Sequence, residues 1–188
     1  VCKPCEAFDF ATYGLEVTDA ETVVIGLSSS GKTEPVIEGM KAAGARGSYA
    51  IGLSNTLGSP LMEEFPGALH IRATRGGWPT QSSTAAMALK LALFASVAEA
   101  RGQDTASLRE ALDDLPGLVD AVAQALFEPA RALAARLARA DLVLLAGAGP
   151  HYAPAAFGAA KLKELAPIHA YAFPLEEYHH YRTQKAGD

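Results

Sequence analysis

A short apolar run followed at once by a serine-rich turn constrains the fold of this chain more than any other feature. The run Thr22–Leu27 is too short for a helix, and Ser28–Gly31 follow it directly. Apolar positions then recur at helical spacing, at Val36, Ile37 and Met40. A continuous apolar run bounded by a turn is typical of a buried strand, and the later spacing indicates an amphipathic helix. The segment therefore predicts a strand, a polar turn and a helix.

The same alternation recurs along most of the chain. Further strands are predicted at Ser48–Leu53, Ala68–Ile71, Asp141–Ala146 and Ile168–Ala172, and further helices at Pro60–Phe65 and Ala153–Leu165. The intervening stretch Ser82–Ala140 has an almost wholly helical pattern. Breaks are expected in it at Gly102, at Pro116–Gly117 and at Pro129. Strands that alternate with helices form parallel sheets. We therefore predict an α/β fold with two halves of similar design.

Composition and charge narrow the function classes. Apolar residues make up 49% of the 188 residues, which is enough for a globular core, and 16 Lys and Arg are outnumbered by 21 Asp and Glu. Without a basic run, a net charge of −5 disfavours nucleic acid as a partner. The longest apolar run, Thr84–Ala100, contains Lys90 and Glu99 and is shorter than the roughly 20 residues that cross a bilayer, so a buried helix is expected. Because the N-terminal segment lacks a signal-peptide pattern, we expect a cytoplasmic protein that binds no membrane.

Neither a metal nor a cofactor is predicted. Cys2 and Cys5 form a Cys-x-x-Cys pair, but no second pair or neighbouring His completes a zinc site, and no strand precedes the pair as in thioredoxin-like motifs. His179 and His180 are adjacent, and adjacent side chains diverge on a helix, so the two imidazoles are not expected to bind one metal ion. We interpret the two cysteines as incidental thiols.

Gly26–Thr33 matches the G-x-x-x-x-G-K-[ST] pattern of a nucleotide-binding P-loop and lies between a predicted strand and a predicted helix. Pro35 argues against that interpretation, because it disfavours helical backbone at Glu34 and itself favours the first helical position. The helix should then begin near Pro35, which leaves Lys32 in the turn. No later predicted strand ends in an Asp that could organise Mg²⁺.

A second interpretation of the same turn is a cradle for one phosphate monoester. Its hydroxyls belong to Ser28, Ser29, Ser30 and Thr33. Together with backbone N–H groups at a helix N-terminus, such hydroxyls bind a phosphate dianion without needing a metal. A serine-rich turn that only caps the helix is the third interpretation, and the residues alone leave it open.

Four motifs, in the same order along the chain, resemble the sugar isomerase (SIS) domain family. They are Val24–Thr33 with its Ser-x-Ser-Gly-x-Thr signature, Thr80–Thr84 at the start of an apolar helix, Ala146–Tyr152 followed by Gly158–Leu165 and Ile168–Ala170, and Glu177–His180 with its Glu-x-x-His spacing. The resemblance implies two tandem three-layer α/β/α units of flavodoxin-like type with parallel sheets, 1–125 and 126–188. The first is expected to lack its N-terminal part and the second its C-terminal part.

The resemblance also implies roles for individual residues. Ser28, Ser29, Ser30 and Thr33 would hold the phosphate of a sugar phosphate, Ser82 or Ser83 would touch the substrate near them, Glu177 would be the catalytic base with Glu176 as the neighbouring alternative, and His180 would assist ring opening or protonate a leaving atom. Interconversion of an aldose and a ketose phosphate moves one proton between C1 and C2 through an enediol, so a single carboxylate can remove and return it.

The resemblance leaves several functions open. Aldose–ketose isomerisation of a phosphosugar is expected, or the related cleavage of an amine from a phosphorylated amino-ketose. A non-catalytic sugar-phosphate sensor is the main alternative, and a P-loop NTPase is a further one. The helices at Ser82–Ala100 and Leu118–Leu137 carry more Ala and Leu than one small core needs, which predicts a homodimer.

Overall fold

The computed structural model describes residues 2–74, 81–166 and 168–181. The chain divides into two compact units, Val1–Leu115 and Pro116–Asp188. The division falls inside a single long helix, and the boundary expected at 125/126 falls inside the same helix.

The first unit is built on a three-stranded parallel sheet in the order β1-β2-β3. Its strands are β1 (Val23–Leu27), β2 (Tyr49–Ser54) and β3 (Leu69–His70). β1 and β2 pair in register from Val23 opposite Tyr49 to Leu27 opposite Leu53. The helices are α1 (Ala7–Asp9), continued by a π-helix (Phe10–Gly14) and a 3-10 turn (Leu15–Val17), then α2 (Glu34–Ala45), α3 (Pro60–Glu63) and α4 (Gln81–Ala100).

Helices cover both faces of this sheet. Successive side chains of a strand point to opposite faces, so Val24 and Ala50 pack on a core of α2 and α3 residues while Ile25 and Ile51 pack on the other core, which includes Ala86 of α4. The first core contains Val36, Ile37, Met40, Leu61 and Phe65, and the second contains Leu53, Ile71 and Ala86. The predicted α/β fold with parallel sheets is confirmed.

α4 is only partly buried, so the expected buried helix is wrong for most of its length. Ala86 and Leu89 pack on the sheet, whereas Met87, Leu91 and Phe94 are exposed. The apolar run that suggested burial extends around the whole helix, and one sheet face covers only one side of it. Among the described helices, α4 alone is long and apolar enough by composition to cross a bilayer.

α5 (Ala106–Leu137) continues through two positions where breaks were predicted. Pro116 and Pro129 both lie inside it, although each removes one backbone N–H from the helix. Residues 116–136 are all exposed, so water can bond the carbonyl oxygens that proline leaves unpaired. The break at Gly102 is confirmed: this residue lies between α4 and α5 with a φ of 76°.

The second unit has a two-stranded parallel sheet. β4 (Leu142–Gly147) and β5 (His169–Pro174) pair in register, and a 3-10 turn (Gly149–His151), α6 (Tyr152–Leu165) and α7 (Leu175–Tyr181) complete the unit. α6 lies close to β4, since a Cβ added to Gly158 would be 3.1 Å from Leu145 Cδ2. Ala155 and Ala159 of α6 are buried, as is Ala170 of β5.

Candidate functional site

The serine-rich turn begins where β1 ends, at the carboxyl edge of the parallel sheet. The backbone N–H of Ser28 donates to the carbonyl of Leu53 at 3.0 Å, so the pairing with β2 extends into the turn. α2 then begins at Glu34. Open α/β sheets bind ligands outside the carboxyl ends of their strands. The turn therefore lies where such folds hold small molecules.

Three of the four hydroxyls assigned to a phosphate meet in this turn. Ser28 Oγ lies 2.7 Å from Thr33 Oγ1 and 3.4 Å from Ser30 Oγ. The backbone N–H of Gly31 donates to Ser28 Oγ at 3.1 Å, and that of Lys32 donates to Ser30 Oγ at 3.3 Å. Ser28 is buried whereas Ser30 and Thr33 are exposed. We call Ser28, Ser30 and Thr33 the hydroxyl cradle; it is open to solvent.

Ser29 is anchored in the turn through its backbone carbonyl. That oxygen accepts hydrogen bonds from the backbone N–H of Asn55 at 3.1 Å and from the hydroxyl of Thr56 at 3.1 Å. The hydroxyl of Ser54 also donates to it, at 3.4 Å. Several donors on one carbonyl fix the orientation of that peptide group. The role of the Ser29 side chain in phosphate binding stays a prediction.

Gly31 allows the turn to approach the loop after β2. Its φ of 66° is left-handed, and a Cβ added there would overlap Ser59 Oγ and lie 2.7 Å from Ser54 Oγ. The carbonyl of Gly31 accepts a hydrogen bond from the N–H of Leu61 at 3.1 Å. Both the backbone conformation and the lack of space require glycine here.

The loop after β2 is a part of the site that the sequence analysis missed. Ser54 and Ser59 are almost fully buried, with 0% and 1% exposure, and their hydroxyls lie 3.4 Å apart directly behind Gly31. The available signal was Ser-Asn-Thr at the end of an apolar strand, in the same position relative to β2 as the serines relative to β1. This polar loop, Ser54–Ser59, supports the hydroxyl cradle from behind.

The start of α2 bears on the P-loop and capping interpretations. The helix begins at Glu34 with Pro35 as its second residue, close to the predicted start. Lys32 is exposed and precedes the helix, which disfavours the P-loop geometry. Thr33 occupies the N-cap position, but its hydroxyl bonds to Ser28 Oγ instead of capping the helix. The turn therefore has hydrogen bonds of its own and does not serve only to cap the start of α2.

The start of α4 carries the second pair of candidate hydroxyls. Ser82 is buried and Ser83 is half-buried, both in the first turn of the helix. Gln81 Oε1 accepts a hydrogen bond from Thr74 Oγ1 at 2.8 Å, which ties the helix start to the loop after β3. Thr80, which belongs to the same motif, lies outside the described residues. Contact of Ser82 or Ser83 with a substrate stays a prediction.

The candidate base lies in the second unit. Glu177 is exposed on α7, and His180 Nε2 lies 3.7 Å from Glu176 Oε1, one helical turn away. The His180 imidazole therefore lies beside the carboxylate of Glu176, the neighbour of the candidate base. The catalytic roles of Glu177 and His180 stay predictions.

α6 presents a further carboxylate, that of Glu164, which the sequence analysis did not single out. Lys161 Nζ donates to Glu164 Oε2 at 2.7 Å, and the Lys161 side chain is only 17% exposed. The same ammonium lies 5.4 Å from the centre of the Phe157 ring, a cation–π distance. A partly buried cation thus holds the Glu164 carboxylate in place. The signal was present in the Lys-Leu-Lys-Glu part of the third motif.

Comparison with known proteins identifies the family. The SIS domain model matches residues 5–100, just over half of the chain. The chain belongs to the SIS domain family. Among curated proteins, it is 30% identical over 179 residues to a glutamine–fructose-6-phosphate aminotransferase (isomerizing) from Pyrobaculum aerophilum, a match covering 94% of this chain and 30% of that protein.

Several solved structures share the fold of this chain. The chain is similar to the C-terminal domain of glucosamine-fructose-6-phosphate aminotransferase from Francisella tularensis, with a TM-score of 0.75 and 25% identity over 84% of this chain and 46% of that one. A candidate phosphosugar isomerase from Bacillus subtilis has a TM-score of 0.81 at 18% identity, over 95% and 54%. The chain thus spans about half the length of these solved chains and less than a third of the curated relative.

Proposed function

We propose that this chain is the substrate-binding part of a phosphosugar isomerase that interconverts an aldose phosphate and a ketose phosphate, or of the related enzyme that cleaves an amine from a phosphorylated amino-ketose. The observation that carries the proposal is the hydroxyl cradle of Ser28, Ser30 and Thr33 at the carboxyl edge of the sheet. The isomerizing aminotransferase activity named for the Pyrobaculum aerophilum relative supports the same substrate class.

The chemistry of the hydroxyl cradle suits a phosphate monoester. Each hydroxyl can turn its hydrogen toward an acceptor, so Ser30 and Thr33 can donate to phosphate oxygens while Ser28 accepts from Gly31 N–H. The exposed ammonium of Lys32 adds positive charge next to the turn. Neutral donors then bind the dianion without the directed lysine that a nucleotide site uses.

The proton transfer needs one carboxylate on one face of the bound sugar. The base takes the proton from C2 of the aldose while a water molecule or an acidic group protonates the carbonyl oxygen at C1, which gives the enediol. The base then gives its proton to C1 while the C2 hydroxyl returns a proton to that water molecule or acidic group, which gives the ketose. We propose Glu177 as this base with His180 assisting at the ring oxygen. Glu164 is the rival, because its ion pair with Lys161 already holds it in place.

The test compares matched carboxylate variants. Binding is measured by thermal shift against hexose and amino-hexose 6-phosphates, since a ligand that binds only the native state raises its melting temperature. Turnover is then measured for Glu177→Gln, Glu164→Gln and Glu176→Gln. We expect Glu177→Gln to reduce turnover by about 10²-fold or more with ligand affinity retained, and Glu176→Gln to remain active.

Each other outcome decides against part of the proposal. Loss of turnover in Glu164→Gln alone moves the base to α6. If the wild-type protein and all the variants bind a phosphosugar tightly but none of them turns it over, the protein is a non-catalytic sugar-phosphate sensor. Strong Mg-ATP binding that disappears in Lys32→Ala, with no response to phosphosugars, makes it a P-loop nucleotide-binding protein.

We also propose that the protein works as a homodimer in the cytoplasm. Large apolar side chains are exposed on α4 and on α5, among them Phe94 at 42% and Phe127 at 66%. Exposed apolar side chains that cluster on long helices are typical of subunit interfaces.

A further inference from the structure

We propose that Asn55 is a positioning residue that couples the hydroxyl cradle to the loop leading into α4. Its side chain would then set affinity for the sugar part of the ligand and leave affinity for the phosphate unchanged. This role rests on the proposed function, because it assigns the sugar contact to the start of α4.

Asn55 bonds to two separate segments with two separate parts of the residue. Its backbone N–H donates to the carbonyl of Ser29 in the serine-rich turn at 3.1 Å. Its side-chain Nδ2 donates to the carbonyl of Ala73 at 2.9 Å, and the N–H of Ala73 donates to Oδ1 at 2.8 Å. The side chain is buried and both of its polar atoms are paired with one residue. Asn55 thus continues the sheet's hydrogen bonding beyond the end of β3.

The backbone beside Ala73 is strained in a way that these bonds explain. Arg72 has a φ of 61°, a left-handed conformation that costs a residue with a Cβ free energy. Its neighbours are held on both sides: the N–H of Ile71 donates to the carbonyl of Ser54 at 2.8 Å, and Ala73 is held by Asn55. The end of β2 therefore imposes the direction in which the chain leaves β3.

The residue after Ala73 contacts the helix that carries the second pair of candidate hydroxyls. Thr74 follows Ala73, and its hydroxyl donates to Gln81 Oε1 at the first residue of α4. Ser82 and Ser83 come next in the helix. A chain of described contacts therefore runs from the Ser29 carbonyl through Asn55 to the start of α4. If the link at Asn55 is lost, α4 is still held by the packing of Ala86 on the sheet, but its first turn, which carries the α4 hydroxyls, loses its hydrogen-bonded connection to the hydroxyl cradle.

Substitution separates the two links cleanly. A replaced Asn55 keeps its backbone N–H, so the bond to Ser29 remains and the hydroxyl cradle is unchanged. Only the side-chain bonds to Ala73 disappear. Thr56 is the matched control, since its side-chain hydroxyl donates to the same Ser29 carbonyl at 3.1 Å.

The experiment measures dissociation constants of inorganic phosphate and of fructose 6-phosphate by calorimetry. Asn55→Ala should leave the constant for phosphate within about twofold and raise that for fructose 6-phosphate about tenfold, because the start of α4 then has the binding geometry in only about a tenth of the free molecules. Thr56→Val should raise both constants by a similar factor. Asn55→Ser, which is uncharged and too short to keep both bonds to Ala73, serves as the second variant if the alanine variant does not fold. It should raise only the fructose 6-phosphate constant.

Two results overturn the positioning role while the proposed function stands. One is unchanged fructose 6-phosphate affinity in a folded Asn55→Ala variant, and the other is an equal loss for both ligands. If the wild-type protein binds phosphate and fructose 6-phosphate with equal affinity, phosphate binding by the hydroxyl cradle is supported and the sugar contact at α4 is refuted. If it binds neither, the proposed function fails and the role of Asn55 falls with it.

Discussion

At the residue scale, Gly31 sets the shape of the serine-rich turn. Its left-handed backbone and the nearby hydroxyls of Ser54 and Ser59 leave no space for a side chain. Gly44, in α2, is a matched contrast, because a Cβ added there would meet nothing within 4 Å. Substituting each glycine therefore compares a turn that requires glycine with a helix in which glycine lowers stability.

Gly31→Ala should destabilise the protein by roughly 2 kcal/mol or more, because left-handed strain and overpacking act together. Gly44→Ala should instead stabilise it by about 0.5–1 kcal/mol, the usual gain in a helix. Urea unfolding measures both. A Gly31→Ala variant as stable as the wild type would show that the turn does not need the conformation described here.

The local sequence motif predicted the hydroxyl cradle but not the residues that support it from the end of β2, and the reason is physical. Ser28, Ser30 and Thr33 lie within six positions of one another, so the motif alone placed them together. Ser54 and Asn55 join the site only because β1 and β2 pair in parallel and end at the same edge. No spacing rule within one segment reports that long-range contact, although polar residues ending two adjacent strands could have suggested it.

At the scale of elements, a cluster of charged and hydroxyl groups joins α4 to α5. Glu99 accepts hydrogen bonds from Arg109 Nε at 2.9 Å and Nη2 at 2.8 Å, and also from the hydroxyl of Thr105. The same Nη2 donates to Ser96 Oγ at 2.9 Å. These bonds, that from Arg109 foremost, lower the pKa of the Glu99 carboxyl from 4.5 to about 2. They fix how the chain turns after Gly102.

A lowered pKa in the folded state predicts a dependence of stability on pH. The contribution of the ionised Glu99 carboxylate to the free energy of unfolding is fully present above its ordinary pKa of 4.5 and is lost as the pH falls towards 2. Glu99→Gln should therefore melt at a lower temperature than the wild type at pH 7, and the difference should shrink below pH 4.5. Thermal unfolding followed by circular dichroism across this range measures it.

Glu128→Gln is the control for that comparison. Glu128 lies 3.6 Å from Arg131, and both side chains are more than 70% exposed, so the pair adds little stability. Its melting temperature should follow the wild type at every pH. A Glu99→Gln variant that behaves like Glu128→Gln would show that the α4–α5 cluster does not stabilise the fold.

Elements were easier to predict than the places where they end. Gly102 stops a helix as expected, since a left-handed residue cannot continue it, whereas Pro116 and Pro129 do not. A proline removes one hydrogen bond, and the many remaining bonds of a 32-residue helix outweigh that loss when water can reach the freed carbonyl. Whether a proline ends a helix therefore depends on its exposure, which sequence does not report.

At the scale of the whole molecule, exposed apolar side chains on long helices bear on assembly. On α4, Met87, Leu91 and Phe94 are exposed, and on α5, Leu126 and Phe127 are exposed. The alternation of strands and helices predicted the parallel sheets, but it could not report which helix faces the sheets leave uncovered. Those faces follow from the number of strands that each unit contains.

Size-exclusion chromatography with light scattering should give twice the monomer mass. Phe94→Lys and Phe127→Lys each place a charge on one of the two exposed helix faces, and the variant at the true interface should elute as a monomer. Lys90→Glu, a charge reversal on a half-buried position of α4, is expected to leave the dimer intact. A wild-type monomer at micromolar concentration contradicts the proposal.

The anchoring of Ser29 through its carbonyl has a consequence for how such a site changes over time. Every amino acid carries that oxygen, so a replacement at codon 29 keeps the tether to Asn55 and Thr56 while presenting a different side chain in the turn. Ligand preference could then drift by single mutations without a rebuilt scaffold. A saturation library at this one codon is the economical way to search for altered sugar selectivity.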